Sequence, residues 1–172
     1  MDQSRLQDFS DRRDETIGAM KAVFGADTRR IEHAMKVLDF AETILAQERA
    51  CREVVVAAAI LHDIGIHEAE RKHGSAAGRF QEIEGPPIAR RIMEKLGYAE
   101  EAIAHVCRIV ANHHSAHGID TPEFRIVWDA DWLVNIPDEF PEASPARLDR
   151  LIDRVFRTAA GRSLAKSLYG NR

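Results

Sequence analysis

Residues 54–65 read Val-Val-Val-Ala-Ala-Ala-Ile-Leu-His-Asp-Ile-Gly, and this stretch constrains the fold more than any other part of the chain. Every residue from Val54 to Leu61 is apolar, so the segment has no face to turn toward water and belongs inside the protein. It has the length of about three helical turns, and Gly65 supplies a stop signal at its end. His62 and Asp63 therefore fall at the C-terminal end of a buried helix. A carboxylate there meets the negative end of the helix dipole, and burial adds the cost of an unpaired charge. A bound cation removes both penalties, and an imidazole beside a carboxylate offers the nitrogen and oxygen donors that metals take. The plainer reading is an aspartate paired with an arginine and a histidine hydrogen-bonded in the core. Partners elsewhere in the chain decide between the two.

The rest of the sequence reads as helix almost throughout. Ser10 is placed to cap a first helix carrying Ile17, Met20, Val23 and Phe24 and closed by Gly25. Asp27 or Thr28 caps a second through about residue 47, whose apolar face holds Ile31, Ala34, Met35, Leu38, Ala41, Ile44 and Leu45. Residues 66–84 loosen into polar and charged types, with short helical turns at most, over about 75–83. Pro86 and Pro87 suit the first turn of a helix that ends at Gly97. Another spans about 99–113. Pro122 opens one that runs to about residue 135 and is ended by Pro137, and an acidic loop holding Pro141 and Pro145 follows. Two short helices, about 148–156 and 163–168, close the chain. The fold class is all-α, a single multi-helix bundle over residues 1–172.

Size and charge narrow the functional classes. A chain of 172 residues supports one domain with a sizeable core. Its net charge of −4 argues against a nucleic-acid polymer or an anionic membrane as the main partner. Cys51 and Cys107 lie outside any CxxC spacing and read as buried thiols in a reducing compartment. The polar N-terminal stretch Met1-Asp2-Gln3-Ser4-Arg5, with no apolar run of membrane-spanning length, leads to the expectation of a cytoplasmic protein. The sequence leaves the oligomeric state open.

Candidate partners for His62 and Asp63 come from separate elements. His33 borders the core-facing stripe of the second helix. Asp131 shares a face with Trp128 and Asn135, while Asp129 points elsewhere. Asn112-His113-His114 ends the fifth helix, and Glu84 precedes Gly85 and the two prolines. Each has a structural alternative, Glu84 as a helix N-terminal acid and the histidine pair as a solvated helix end.

The order His33, His62-Asp63, Asp131 resembles the H…HD…D signature of the HD-domain superfamily of metal-dependent phosphohydrolases. Arg30-Ile31-Glu32-His33 is similar to that family's R-x-x-H, Leu61-His62-Asp63-Ile64-Gly65 to its central motif, and Asp129-Ala130-Asp131 to its D-A-D ending. The likeness covers residues from about 28 to 136. It implies an all-helical HD-domain bundle, with His33, His62, Asp63 and Asp131 holding a divalent ion (Mn, Fe, Mg, Co, Ni or Zn). Relatives with two metals carry two further histidines. Here His113 stands at one such place and Glu84 at the other, so the second site departs from the pattern.

What the resemblance implies chemically is hydrolysis of a small phosphoester, a nucleotide first among them, with Asp63 shared between metals. Arg30, one turn before His33, is the first candidate to stabilise the phosphoryl group, followed by Lys72 and Arg79. His114 is the first candidate to protonate the leaving group, ahead of His67, His73 and His117. His105 has no role, and the tryptophans Trp128 and Trp132 read as core. Two other classes use related sites: a di-iron oxygenase of the same superfamily, and a non-catalytic sensor of nucleotide or metal.

Overall fold

The computed structural model describes residues 3–170, so Met1 and Asp2 of the polar N-terminal stretch lie outside the described residues. Among the described residues there are nine helices and no strand, which makes the fold all-α. In chain order they are α1 (Gln3–Phe24), α2 (Thr28–Leu45), α3 (Arg52–Leu61), α4 (Ile66–His73), α5 (Gly78–Lys95), α6 (Glu100–Val110), α7 (Pro122–Glu139), α8 (Pro145–Val155) and α9 (Ala159–Tyr169).

Helix α3 is the axis. All eight residues from Val54 to Leu61 are buried, and α1, α2, α6 and α7 pack around them. A helix with no polar stripe is stable in water only when neighbours cover it on every side. The surrounding helices supply one amphipathic face each. Buried residues from Ile17 on α1 to Ala165 on α9 form one continuous apolar cluster.

Local chemistry sets several boundaries. The Asp27 carboxylate accepts from the Arg30 backbone N–H at 3.2 Å and caps α2. Thr121 caps α7 by accepting from Phe124 N–H at 3.3 Å, with Pro122 in the first turn. Gly25, at φ +58°, closes α1 in the left-handed region that favours glycine.

Other boundaries differ from the sequence expectation. Helix α1 already runs from Gln3, so Ser10 lies inside it and caps nothing. Serine disfavours a helix interior only weakly. Residues 66–84 are mostly helical too. α4 buries only Ile66 and Ala69 and turns its charged residues outward, so its polarity reflects exposure rather than irregular backbone. Pro86 and Pro87 lie within α5, and Pro137 lies within α7. The ring fixes φ at a helical value, and what each interior proline removes is one donor to the carbonyl four residues back. For α5 those carbonyls belong to Glu82 and Ile83, on a stretch where Ile83 is exposed.

Gly65 does not stop α3. That helix ends at Leu61, the chain turns through residues 62–65, and Gly65, at φ −83°, leads into α4. Its smallness serves packing: a Cβ there would fall 2.5 Å from the Gly85 backbone nitrogen and 2.7 Å from the Gln81 carbonyl oxygen. The His62-Asp63 turn is thereby pressed directly onto the backbone of α5.

Asp129 has a structural task. It is fully buried and accepts from the Arg157 and Thr158 backbone N–H groups, both at 2.8 Å, and from Thr158 Oγ1 at 2.7 Å. These bonds hold the start of α9 against α7.

The close contact at Gly65 makes a prediction. Gly65→Ala forces backbone to move and lowers stability by about 1–3 kcal/mol, a fall of several degrees in Tm. Gly18→Ala, at an exposed site on α1 with open space around it, leaves Tm unchanged or slightly raised. Thermal unfolding of both variants checks the contrast, and equal behaviour would show that the contact carries no strain.

Candidate metal centre

Three elements bring His33 (α2), His62 and Asp63 (the turn after α3) and Asp131 (α7) to one point. His33 Nε2 lies 3.2 Å from His62 Nε2, 3.1 Å from Asp131 Oδ1 and 3.6 Å from Asp63 Oδ2. His62 Nε2 is 3.6 Å from each of the two carboxylates. Donors about 2.1 Å from a shared ion stand about 3.0–3.4 Å apart, so these separations suit a divalent cation. His33, His62 and Asp63 form one group of donor atoms that lie within 4.8 Å of one another.

The chain also settles which way the rings present themselves. His62 Nδ1 donates to the Ala59 carbonyl at 2.8 Å, and His113 Nδ1 donates to the Val110 carbonyl at 2.7 Å. Both bonds reach back three residues to a carbonyl at a helix end, so local backbone satisfies one ring nitrogen and leaves Nε2 facing the site. Such a bond on the remote nitrogen is what orients a ligating histidine. Asn135 gives Asp131 a similar support, donating from Nδ2 to Oδ1 at 2.9 Å.

A second group adjoins the first. His113 Nε2 is 3.3 Å from Asp63 Oδ1, and Asp63, His113 and His114 offer donor atoms within 4.8 Å of one another. Asp63 therefore faces both groups, one oxygen toward each. Glu84, expected in the second group, is engaged elsewhere. Its carboxylate accepts from Lys72 Nζ at 2.7 Å and from His73 Nε2 at 2.9 Å, and those two partners hold it well below the usual carboxylate range. His114 stands with Asp63 and His113 in its place.

Electrostatics follow from burial and crowding. Burial works against ionising Asp63, yet His62, His113 and His33 outweigh it and the carboxyl is held far below its ordinary value. Asp131 is lowered in the same way, with burial opposed chiefly by the His33 hydrogen bond and the charge of His62. Burial lowers His62. For His33 and His113 burial also lowers the pKa, but the hydrogen bonds to Asp131 and Asp63 overcome it and the net shift is upward. His114 is exposed as a residue, but its ring packs on His113, with centroids 4.0 Å apart. Desolvation, with repulsion from His113, pushes it down to about 4. At neutral pH it is uncharged, which makes it a poor acid for a leaving group.

The centre opens into a cavity of about 460 Å³. Asp63, His33, Asp131 and His114 lie on its wall, together with the α2 cations Arg29, Arg30 and Lys36. Arg30 is thus where the sequence places it. Lys72 is not on this wall; it pairs with Glu68 and Glu84. Arg79 lies over the Phe80 ring, His73 stacks on the same ring, and His67 pairs with Asp27 at 3.0 Å. His105 bonds Thr121, and Trp128 donates to the Val155 carbonyl. Sequence reasoning missed Gln81, Phe40 and Tyr169, which also line the cavity. None carries a motif, and Tyr169 comes from α9, far along the chain.

A family model for the HD domain matches residues 30–136. Two solved structures are similar in fold. One is a predicted HD superfamily hydrolase from an uncultured Thermotogales bacterium, 22% identical, TM-score 0.66, covering 90% of this chain and 83% of the other. The other is an HD-superfamily hydrolase from Bacillus thuringiensis, 22% identical, TM-score 0.66, covering 94% and 92%. No curated protein matches.

Two measurements probe the centre. Protons compete with a cation for His33 and His113, whose pKa values are raised above that of an ordinary histidine, while Asp63 stays ionised throughout. Mn²⁺ affinity by calorimetry therefore falls by roughly tenfold from pH 8 to pH 6, and equal affinity would contradict the assignment. Elemental analysis separates the second group from Glu84: His113→Ala and His114→Ala lower bound metal, and Glu84→Ala does not.

Proposed function

The chain belongs to the HD-domain family, and from that membership we propose that it is a divalent-metal-dependent phosphohydrolase cleaving a small phosphoester, with nucleotides the first class to test. One observation carries the reading: Asp63 and Asp131 converge with His33, His62 and His113 beside a cavity whose α2 wall carries Arg29, Arg30 and Lys36 along with Glu32. Anionic donors beside a cationic wall suit a phosphoryl group that needs a metal on one side and positive charge on another.

A divalent ion held by His33, His62, Asp63 and Asp131 would polarise a phosphoryl oxygen and make water acidic enough to attack near neutral pH. The protein's own contribution is orientation and charge. The backbone bonds from His62 to Ala59 and from His113 to Val110 fix both rings before anything binds. Arg30, one turn from His33, brings a permanent positive charge to the cavity wall, where it would face the oxygens of a bound phosphoryl group. Asp63 couples the two donor groups, so its loss weakens both at once. His114, neutral at pH 7, serves better as a donor atom beside His113 than as the acid for the leaving group.

Oxidation by a di-iron centre would draw on the same donors, since Asp63 faces two histidine-bearing groups. The cationic α2 wall favours phosphate chemistry over it. The continuous core from α1 to α9 supports reading the chain as one domain.

A panel of nucleotide phosphomonoesters and phosphodiesters, run with Mn²⁺, Mg²⁺, Co²⁺, Ni²⁺, Zn²⁺ and Fe²⁺, tests the reading. Hydrolysis appears only with an added or retained divalent ion, and Asp63→Ala loses both metal and activity. Arg30→Ala lowers kcat/KM about a hundredfold with Tm unchanged. Activity surviving in metal-depleted protein, or an active Asp63→Ala, would refute it. Oxygen uptake by protein carrying two irons would replace it with the oxygenase.

A further inference from the structure

Pro137 lies inside α7 and has no N–H to give the carbonyl of Leu133, four residues back. Another element satisfies that carbonyl. Tyr169, the last residue of α9, donates its hydroxyl to it at 2.8 Å. Burial raises the Tyr169 pKa, so the phenol keeps its proton at neutral pH. The bond ties the end of α9 to α7 two residues beyond Asp131, and the tied side chain lines the cavity together with Leu133 and Pro137. With the hydroxyl spent on structure, what Tyr169 offers the cavity is its ring.

Phe40, on α2, offers a second ring on the same wall. Both residues are half-buried, and neither packs on another aromatic ring or a cation among the described residues. Phe80, Trp128, Trp132 and Phe140 each do. Two rings without such a neighbour, with Val134 and Pro137 beside them, leave apolar surface that a flat group entering the cavity would cover. Aromatic rings gain from such stacking beyond the area they bury. Phe40 follows His33 by seven residues, about 10 Å of helix. The aromatic wall therefore stands beside the carboxylate–imidazole cluster, and a small molecule holding its phosphoryl group at the cluster reaches the wall with its other end. Tyr169 lies beyond residues 30–136 that match the HD domain, so this wall depends on the chain's own C-terminal helix.

We propose that Tyr169 determines specificity: with Phe40 it receives a planar ring, an aryl group or a nucleobase, carried on the alcohol side of the phosphoester. Pro137 takes part by leaving free the carbonyl that fixes Tyr169. The assignment rests on the phosphohydrolase reading and names the substrate class within it.

Phosphonates have no ester bond to break and test the wall apart from turnover. Calorimetry on the Mn²⁺-loaded protein finds benzylphosphonate bound about fivefold more tightly than cyclohexylmethylphosphonate, its saturated counterpart. Tyr169→Leu brings the two affinities together, while Tyr169→Phe, which keeps the ring, retains more of the difference. Both ligands are read on the same protein, so a variant that is merely less stable does not change their ratio. Where Tyr169→Leu fails to fold, Phe40→Leu gives the same test. In turnover, kcat/KM for adenosine 5′-monophosphate exceeds that for ribose 5-phosphate by about tenfold when the ring received is a nucleobase, and Tyr169→Leu removes that margin too. A margin for benzylphosphonate alone assigns the wall to aryl groups. No preference for either ring in the wild type, a preference that Tyr169→Leu leaves intact, or equal loss in Tyr169→Leu and Tyr169→Phe overturns the proposal. Wild-type protein that hydrolyses no phosphoester refutes the phosphohydrolase reading instead, and the phosphonate ratio still decides what the wall receives.

Discussion

Asp63 and Asp131 approach the same pair of imidazole nitrogens, in a region that the helices largely withdraw from bulk water. Two like charges this close, one at the negative end of α3, repel each other and cannot be covered by solvent. Positive charge must come from within. The carboxylates make His33 and His113 hold protons more tightly than a free histidine, while the carboxyls hold theirs less tightly. A divalent cation supplies the same charge without occupying the nitrogen lone pairs with protons. Acidity at the centre and readiness to take a metal are thus two consequences of one arrangement.

The rest of the fold works to keep that arrangement from relaxing. A helix with a polar stripe could rotate to carry Asp63 toward water; α3, apolar all round and enclosed by four neighbours, cannot. The turn beyond it is held by contact with α5 at Gly65 and Gly85, where neither backbone has room for a side chain. Asp129, two residues before Asp131, is tied on the other side of α7 to the start of α9. Two aspartates in one short motif therefore do opposite things. One accepts three hydrogen bonds and locks the C-terminal helices in place, and the other, supported by Asn135, looks into the cavity.

What the sequence disclosed and what it hid divide along physical lines. The Val54 run could be read as a buried helix because eight consecutive apolar residues leave no alternative. The face containing Asp131 and Asn135 followed from helical spacing alone. Interior prolines misled at α5 and α7, since composition reports the lost donor but not whether the carbonyls left over can do without it. The charged stretch 66–84 looked irregular because exposure and disorder leave similar compositions, and only the burial of Ile66 and Ala69 distinguishes them. Glu84 looked like a ligand by its place in the motif. Its true partners, Lys72 and His73, lie a turn of chain away on α4, and no spacing rule announces that they bend back to it. Tyr169 had no sequence signal at all. Its place on the cavity wall depends on a carbonyl that Pro137 leaves free, and that is a property of three-dimensional surroundings.

The pairing of α2 with α7 adds a constraint on what the cavity admits. Arg29, His33 and Lys36 follow one another at helical spacing along the cavity side of α2, and Asp131, Asn135 and Asp138 do so along α7, with Glu139 beside them. The two helices pack together, so a cationic stripe faces an acidic one across the opening. On the acidic side, burial together with Asp131 raises the pKa of Glu139. The charges that surround the centre thus also divide its opening into unlike sides. Phe40 and Tyr169, from opposite ends of the chain, complete the wall around its uncharged part.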